Sequence, residues 1–298
     1  MIVFLLRAGL VILGLAYAAA LLFVCVRRGQ WRPRLESVGL GAVTNFFDTL
    51  GIGSYAPTTA WMKLRKMAPD SFFPVILNAG HALPTVVEAL CFIELVKVDP
   101  RLLIACILAA VAGAFVGAPI VVRLPTRAVQ AVVGLALLIA SGLYVMGNLN
   151  LMPAGGAALG LPPGLFAGAV VGYFVLGALM TAGIGLYAPS LIMLSLMGMD
   201  PKASFPIMMG ACAFLMPVSG LGFLRSRRID LRLVLGIAIG GIPAVLLAAL
   251  VVKSLPLAAI RWGVVVVVLY AAAILLRSAL RRAAGEPDPA TATQPAGG

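Results

Sequence analysis

Two short segments of the sequence share a pattern of glycine, tyrosine and proline whose backbone could bind an anion. The first reads Gly-Ile-Gly-Ser-Tyr-Ala-Pro at residues 51–57, and the second reads Gly-Ile-Gly-Leu-Tyr-Ala-Pro at residues 183–189. The glycines disfavour a continuous helix, whereas the proline suits the first turn of a new one. Each segment is therefore predicted to interrupt a helix and to present unpaired N–H groups at a helix N-terminus, where the dipole favours an anion.

These N–H groups and the side chains beside them are predicted to form a cradle for an anionic substrate. The alternative is that the glycines only let neighbouring helices approach closely, which is common in membranes. The repetition of proline and tyrosine as well as glycine favours binding. The predicted substrate-binding residues are Gly51, Gly53, Ser54, Tyr55, Thr58, Thr59, Gly183, Gly185, Tyr187 and Ser190.

A polar stripe follows the first glycine segment and could carry a proton. Asn78, His81, Thr85 and Glu88 are spaced three, four and three residues apart, which corresponds to one face of a helix. His81 is the only histidine of the chain, and histidine ordinarily titrates near neutral pH. Asn78, His81 and Glu88 are therefore candidates for proton coupling. A structural hydrogen-bond network between helices is the alternative.

Asp48 is a further candidate for proton coupling, because it lies just before the first glycine segment. A carboxylate beside an anion site should be protonated or should titrate during transport. The equivalent position before the second segment is Met180, so the two copies differ here. The alternative role for Asp48 is to cap the helix that restarts after the glycines.

The sequence carries no motif for a metal, a nucleotide or another cofactor. Its four cysteines lie in apolar segments and lack the Cys-x-x-Cys spacing of zinc sites. It has no His-Glu-x-x-His motif, no phosphate-binding loop and no serine–histidine pair on matched repeats. We therefore expect no catalytic residues, no metal and no cofactor. An intramembrane enzyme that uses His81 with Glu88 or Asp48 remains an alternative.

The composition requires that these segments lie in a membrane. Of the 298 residues, 62% are hydrophobic and 11% are charged, and the mean hydropathy is +1.10. Water-soluble domains are about 45–50% apolar and about 25% charged. A β-barrel is excluded because its strands alternate apolar and polar residues, whereas residues 263–276 form an unbroken apolar run. The sequence thus predicts an all-α polytopic membrane protein.

The chain is an internal duplication. A shift of 132 residues aligns the two glycine segments and continues without a gap, so that Pro69 meets Pro201 and Phe73 meets Phe205. Shared prolines and tyrosines are unexpected by chance in a chain dominated by alanine and leucine. The predicted parts are an N-terminal transmembrane helix and basic loop at 1–35, a first repeat at 36–147, a neutral extracytoplasmic linker at 148–162, a second repeat at 163–283 and a disordered cytoplasmic tail at 284–298.

Loop charge predicts that the two repeats have inverted topology. If each glycine segment crossed the membrane once, the basic loops at 27–34 and 63–66 would lie on opposite sides, against the positive-inside rule. If each returns as a re-entrant hairpin, the basic loops share one side, which we predict to be cytoplasmic with the N-terminus outside. Each repeat then holds one broken hairpin and three transmembrane helices, an arrangement typical of secondary transporters. The basic loops are 27–34, 63–66, the pair Arg123 and Arg127, 225–232 and 277–282.

The duplicated glycine segment, with a helix beginning Phe-Pro after it, resembles the TauE/SafE sulfite exporter family, also called the toluene-sulfonate uptake permease family. The resemblance covers residues 36–280, and Asn-Phe-Phe-Asp-Thr-Leu-Gly-Ile-Gly-Ser at 45–54 is similar to one branch of it. Members typically carry Gly-x-Gly-Gly-Gly, from which both segments here depart. The resemblance implies movement of sulfite, sulfonates or related sulfur-containing organic anions, commonly outward and driven by the proton gradient.

We therefore expect a secondary active transporter in a bacterial inner membrane. Its expected partners are a small anionic substrate, protons as the coupling ion and the lipid bilayer. The net charge of +12 does not indicate nucleic acid, because the basic residues lie in short loops. A passive anion channel, which would lack proton coupling, is the alternative, and the sequence leaves monomer and homodimer both open.

Overall fold

The chain is helical through most of the part that the computed structural model describes, and no strand occurs in that part. An isolated β-bridge joins Ala158 and Met199. The prediction of an all-α membrane protein is thus confirmed. The described residues are 2–51, 53–69, 72–121, 131, 134–135, 138, 141–142, 145–146, 149, 156–181, 183–225, 229–254 and 257–281.

The described residues form eleven helices that we number in chain order. They are α1 Ile2–Arg27, α2 Leu35–Thr49, α3 Tyr55–Leu64, α4 Phe73–Gly80, α5 Ala82–Leu95, α6 Pro100–Val121, α7 Pro163–Thr181, α8 Tyr187–Leu196, α9 Pro201–Phe223, α10 Leu231–Ser254 and α11 Leu257–Arg281.

Four of these helices, α1, α7, α9 and α10, are long and apolar enough to cross a membrane. Helices α4 and α5 would make a fifth span as a bent pair, with an angle of 41° at their break. The chain is therefore a multi-pass membrane protein. Most of the expected span at 128–146 lies outside the described residues, and those of its residues that are described are helical. Arg123 and Arg127, the tail at 284–298 and most of the linker also lie outside them.

Several basic loops meet at one end of the helix bundle. Arg34 pairs with Asp230, with 2.7 Å between Nη2 and Oδ2, and its Nη1 donates to the Met67 carbonyl at 3.4 Å. The side chain of Gln30 accepts a hydrogen bond from the backbone N–H of Leu231 at 3.1 Å. The loops after α1, α3 and α9 therefore lie together.

The less basic loops meet at the other end. Arg7 at the start of α1 pairs with Glu94 at the end of α5, with 2.7 Å between Nη2 and Oε2. The backbone N–H of Asp99 donates to the Leu159 carbonyl at 2.8 Å, and the N–H of Asp200 donates to the Ala158 carbonyl at 2.9 Å.

The helices on either side of each glycine segment lie antiparallel. Glu36 at the start of α2 accepts hydrogen bonds at Oε1 from Arg65 just after α3, at 2.8 Å, and from Trp61, at 3.2 Å. In the second pair, Gly172 of α7 faces Met193 of α8. The end of α3 thus returns to the start of α2, and α8 runs back along α7.

Two seams of close helix packing connect the halves. Along the first, Gly41 of α2 lies so close to Ile237 of α10 that an added Cβ atom would stand 2.6 Å from the Ile237 Cα atom. Along the second, a Cβ atom added to Gly113 of α6 or to Gly177 of α7 would overlap a backbone carbonyl of the other helix. Each seam joins the first helix of one half, α2 or α7, to a later helix of the other half, α10 or α6.

The polar stripe does not lie on one continuous helix, which corrects the prediction from its spacing. Helix α4 ends at Gly80 and α5 begins at Ala82, so His81 stands at the bend. Pro84 explains the break, because it lacks the N–H that would bond to the Gly80 carbonyl in an unbroken helix.

Candidate functional site

The first glycine segment interrupts a helix as predicted. Helix α2 ends at Thr49 and α3 begins at Tyr55. Between them, Gly51 and Gly53 have φ angles of +91° and +85°. Only glycine adopts this left-handed region readily, so the glycines allow the chain to turn back.

The second glycine segment repeats the interruption. Helix α7 ends at Thr181 and α8 begins at Tyr187, with Gly183 at a φ of +88°. Gly185, unlike its counterpart Gly53, has no positive φ. The backbone conformation therefore does not require glycine at position 185, and what matters there is the space that a side chain would fill.

The two breaks face each other reciprocally. A Cβ atom added to Gly53 would lie 4.0 Å from the Cβ of Tyr187, and one added to Gly185 would lie 3.7 Å from the Cβ of Tyr55. Each glycine thus contacts the tyrosine of the other copy.

A small cavity lies where the breaks meet, with room for about one or two water molecules. The first half lines it with Asp48, Gly53, Ser54, Tyr55 and Thr85. The second half lines it with Met180, Gly185, Leu186, Tyr187 and Met216.

The cavity has a polar wall and an apolar wall. Four of its positions form pairs under the 132-residue shift, which are 48 with 180, 53 with 185, 54 with 186 and 55 with 187. In these pairs Asp48 is replaced by Met180, and Ser54 is replaced by Leu186. The backbone is duplicated, but the first half supplies the carboxyl and the small hydroxyls. None of the lining residues is lysine, arginine or histidine.

Asp48 lies both at the start of α3 and at the cavity wall. It is buried, and its carboxylate accepts hydrogen bonds from the hydroxyl and the backbone N–H of Ser54, the residue before α3. This contact satisfies a donor at the helix start, as a cap does. Because Asp48 also lines the cavity, the cap lies beside any bound ligand.

Tyr55, a residue of the cavity wall, has an unsatisfied hydroxyl. Its hydroxyl is buried and has no hydrogen-bond partner in the described part of the chain. The equivalent Tyr187 differs, because its hydroxyl donates to Oε2 of Glu88 at 2.6 Å. An orphaned buried hydroxyl costs about 1–3 kcal/mol, which a ligand oxygen would recover.

Glu88 is fully buried and is contacted from both breaks. Besides Tyr187, the Thr49 hydroxyl lies 2.8 Å from its Oε1. Thr49 is the last residue of α2, and Tyr187 is the first of α8. One carboxyl on α5 therefore connects the helix before the first break to the helix after the second.

His81 is fully buried but does not line the cavity. Its Nδ1 lies 2.9 Å from Oδ1 of Asn45 on α2, and its Nε2 lies 3.1 Å from the Thr58 hydroxyl on α3. The Asn45 amide nitrogen donates to the Gly41 carbonyl at 2.7 Å, so its oxygen faces the ring. Since that oxygen only accepts, Nδ1 carries a hydrogen.

Other predicted residues lie outside the cavity wall. Asn78 donates to the Pro74 carbonyl at 2.8 Å and accepts from Ser219 of α9, so it is separate from His81 and Glu88. Thr85, by contrast, does line the cavity, and its hydroxyl donates to the His81 carbonyl at 2.8 Å. The remaining predicted binding residues that do not line the cavity are Gly51, Thr58, Thr59, Gly183 and Ser190, the last of which bonds to Tyr173.

Several residues at the site were not among the predicted site residues. Met180 and Leu186 line the cavity, and the 132-residue shift makes them the counterparts of Asp48 and Ser54. Thr49 had a weaker signal, as a hydroxyl beside Asp48. No sequence pattern indicated Met216.

Comparison with protein families supports the resemblance found in the sequence. The family model described as Sulfite exporter TauE/SafE matches residues 164–298, which include the second glycine segment. No curated protein and no solved structure matches the chain. The second half is therefore similar to a family whose description indicates membrane transport of sulfite or related anions.

Proposed function

We propose that this chain is a secondary active transporter that moves small anions, with sulfite, sulfonates or related sulfur-containing organic anions as substrates and the proton gradient as the driving force for export. The family match over residues 164–298 supports the transport of such anions. The observation that carries the assignment to this cavity concerns Tyr55, which lines the cavity and whose buried hydroxyl has no hydrogen-bond partner among the described residues.

The cavity has donors for an anion but no positive side chain. Tyr55 and Thr85 bring hydroxyls to it, and Gly53 and Gly185 leave the backbone open to close approach. The nearby carboxyl of Asp48 would repel an anion unless it were protonated. This requirement supports proton coupling, for which Asp48, Asn78, His81 and Glu88 are the candidates.

In this conformation the cavity is too small to admit the anion, so transport requires the helix breaks to move. The cavity has room for about one or two water molecules. An oxyanion with several oxygen atoms is larger than that. A carrier that opens its site to each side in turn accounts for both the small cavity and its position between the halves. Counterflow in proteoliposomes separates this carrier from a passive channel.

The inverted topology of the repeats is part of the proposal. Equivalent helices form the two seams, and equivalent residues form four pairs around the cavity, as expected for duplicated halves related by a two-fold axis. We further propose that the basic end at Arg34 and Asp230 faces the cytoplasm of a bacterial cell and that the N-terminus lies outside, in accord with the positive-inside rule.

The experiment that tests the binding site is a thermal-shift screen of the purified protein against sulfite, thiosulfate, sulfonates and small carboxylates. A ligand that binds only the folded form raises its apparent stability, by about 2.7 kcal/mol at a concentration of about 100 Kd. Tyr55→Phe should lose much of this stabilisation, yet be at least as stable as the parent without ligand, because it removes an unsatisfied hydroxyl.

Tyr17→Phe is the matched control. The Tyr17 hydroxyl donates to the Ala79 carbonyl at 2.8 Å and does not line the cavity. This variant should lose stability without ligand and keep the ligand-induced shift. An equal ligand-induced shift in Tyr55→Phe and the parent would contradict the site, and no shift with any of these anions would contradict the substrate class.

A further inference from the structure

We propose that Glu88 is a proton-operated latch, which holds the two helix breaks together when ionised and lets them separate when protonated. The inference rests on the proposed function, because the cavity between the breaks is where the anion would bind. The latch consists of Glu88, Thr49 and Tyr187, and it lies beside the cavity, since of these three only Tyr187 lines it.

The position of the latch follows from its three elements. Thr49 ends α2, Tyr187 begins α8 and Glu88 belongs to α5. The hydroxyls contact separate oxygens of the carboxyl, at 2.8 Å from Oε1 and 2.6 Å from Oε2. Separating the two breaks while α5 stays in place would break at least one of these hydrogen bonds.

The hydrogen-bond partners of the latch suit both protonation states. The Thr49 hydroxyl lies 2.8 Å from Glu88 Oε1 and also 2.8 Å from the Asn45 carbonyl, but it has one hydrogen. When Glu88 is ionised, Thr49 donates to it. When Glu88 is protonated at Oε1, Glu88 donates to the Thr49 oxygen, and Thr49 turns its hydrogen to Asn45. Neither state leaves a donor or the carboxyl without a partner.

The two states differ in how strongly they hold Tyr187. An ionised carboxylate accepts a charge-assisted hydrogen bond that is about twice as strong as a neutral one. Protonation therefore weakens the bond between Glu88 and Tyr187. Because Tyr187 lines a cavity with room for about one or two water molecules, its release would let the cavity widen.

The groups around Glu88 make its ionisation sensitive to a second acid. No cation is among the titratable groups described as interacting with it, and Arg7 of α1, which packs on α5, pairs with Glu94 instead. An ionised Asp48 would oppose ionisation of Glu88, so the two acids would share a negative charge. The described titratable groups that interact with Glu88 are Asp48 of α2, Tyr187 of α8, Cys212 of α9 and Cys91 of α5.

Hydrogen exchange of the α8 backbone, measured by mass spectrometry in lipid nanodiscs without any substrate, tests the latch. After correction for intrinsic exchange, we expect protection of the peptide around Tyr187 to rise about tenfold between about pH 5.5 and about pH 8.5, as the charge-assisted bond forms. Glu88→Gln has the shape of the protonated form but cannot ionise, so its protection should stay at the low-pH level.

Three further variants sharpen the test. Thr49→Val removes a partner from both states of Glu88, but the lost bond to the carboxylate is the stronger one, so the midpoint of the pH dependence should move upward. Asp48→Asn removes the competing charge and should move the midpoint downward. Glu94→Gln, on the same helix but exposed and paired with Arg7, should follow the parent.

Protection that does not change with pH in the parent, or a Glu88→Gln variant that follows the parent, would overturn the latch. If Glu88→Gln does not fold, an unshifted midpoint in Thr49→Val overturns it instead. The hydrogen-exchange measurement uses no anion, so it tests the latch even if none of the proposed substrates gives a shift in the thermal-shift screen. Conversely, anion binding with pH-independent protection would retain the transporter and remove the latch.

Discussion

Gly185 lies against Tyr55, since a Cβ atom added to the glycine would stand 3.7 Å from the Cβ atom of the tyrosine. Gly53 faces Tyr187 in the same way, at 4.0 Å. At each helix break, the glycine thus faces the tyrosine of the other break. The space between the breaks exists because these glycines have no side chains.

Gly185→Val should abolish anion binding while leaving membrane insertion intact. A single added Cβ would make an ordinary contact with Tyr55, but the two methyl groups of valine would reduce the small cavity further. The same change at Gly53 is less informative, because its φ of +85° adds backbone strain. The measurement is the ligand-induced thermal shift, compared with the amount of protein in the membrane.

Gly164→Val is the control for this prediction, because nothing lies within 4 Å of a Cβ atom added at that glycine. Its ligand-induced shift should equal that of the parent. If Gly185→Val binds the anion as the parent does, Gly185 has only a packing role.

Gly177→Ala and Gly113→Ala should each destabilise the protein by about 1–3 kcal/mol. The added methyl group would overlap a backbone carbonyl across the seam between α6 and α7, so the helices would have to move apart. Unfolding in detergent measures the effect. Gly39→Ala, on α2 with nothing within 4 Å of the added Cβ atom, should be neutral or slightly stabilising, and equal stability of all three variants would argue against the seam.

His81→Leu should lower stability by leaving the Asn45 oxygen and the Thr58 hydroxyl without their partner. Each unsatisfied buried group costs about 1–3 kcal/mol. His81→Gln keeps hydrogen-bonding atoms near both groups and should lose less. Thermal unfolding without ligand compares the variants, and a His81→Leu variant as stable as the parent would show that this network contributes little.

Glu88→Gln should keep counterflow of the bound anion in proteoliposomes and lose its accumulation driven by a pH gradient. The amide retains a donor and an acceptor but cannot carry the proton. The measurement uses radiolabelled sulfite or whichever screened anion gives the thermal shift. Accumulation equal to that of the parent would assign coupling to another group, with Asp48 as the next to test.

Cysteines at positions 66 and 232 should be labelled from the same side of the membrane, and a cysteine at position 97 from the other. Lys66 lies in the loop after α3 and Arg232 in the first turn of α10, and both segments meet at Arg34. Lys97 lies near Glu94 at the opposite end. With a membrane-impermeant reagent on intact cells lacking the native cysteines, only position 97 should react. Labelling of 66 and 97 together would refute the assignment of the two ends.

The helix breaks could be predicted from the sequence because glycine and proline act on the local backbone. The contacts of Glu88 could not, because Thr49 is 39 residues away and Tyr187 is 99 residues away. They depend on how α2, α5 and α8 pack, which no pattern within one segment indicates. The duplication related the two segments to each other without showing that Gly53 would face Tyr187.

The polar stripe shows where periodicity misleads. The spacing of Asn78, His81 and Glu88 assigns them to one face only if the helix is continuous. Because the chain bends by 41° at His81, Asn78 faces Ser219 on α9 while His81 faces Asn45 on α2. Pro84 predicts a kink, because it leaves the Gly80 carbonyl without its helical partner, but the direction of the bend depends on the helices around it.

The seams also constrain which parts can move as rigid bodies. Each joins a helix of one half to a helix of the other through backbone contacts that no flexible side chain can relax, as at Gly41 and Gly177. A rotation of one half of the chain against the other half would therefore separate the helices at both seams. If the chain transports as proposed, we expect the mixed pairs, α2 with α10 and α6 with α7, to move as rigid bodies. A distance between α2 and α6, within one half, should therefore change during the transport cycle, whereas the distance between α2 and α10 should stay constant.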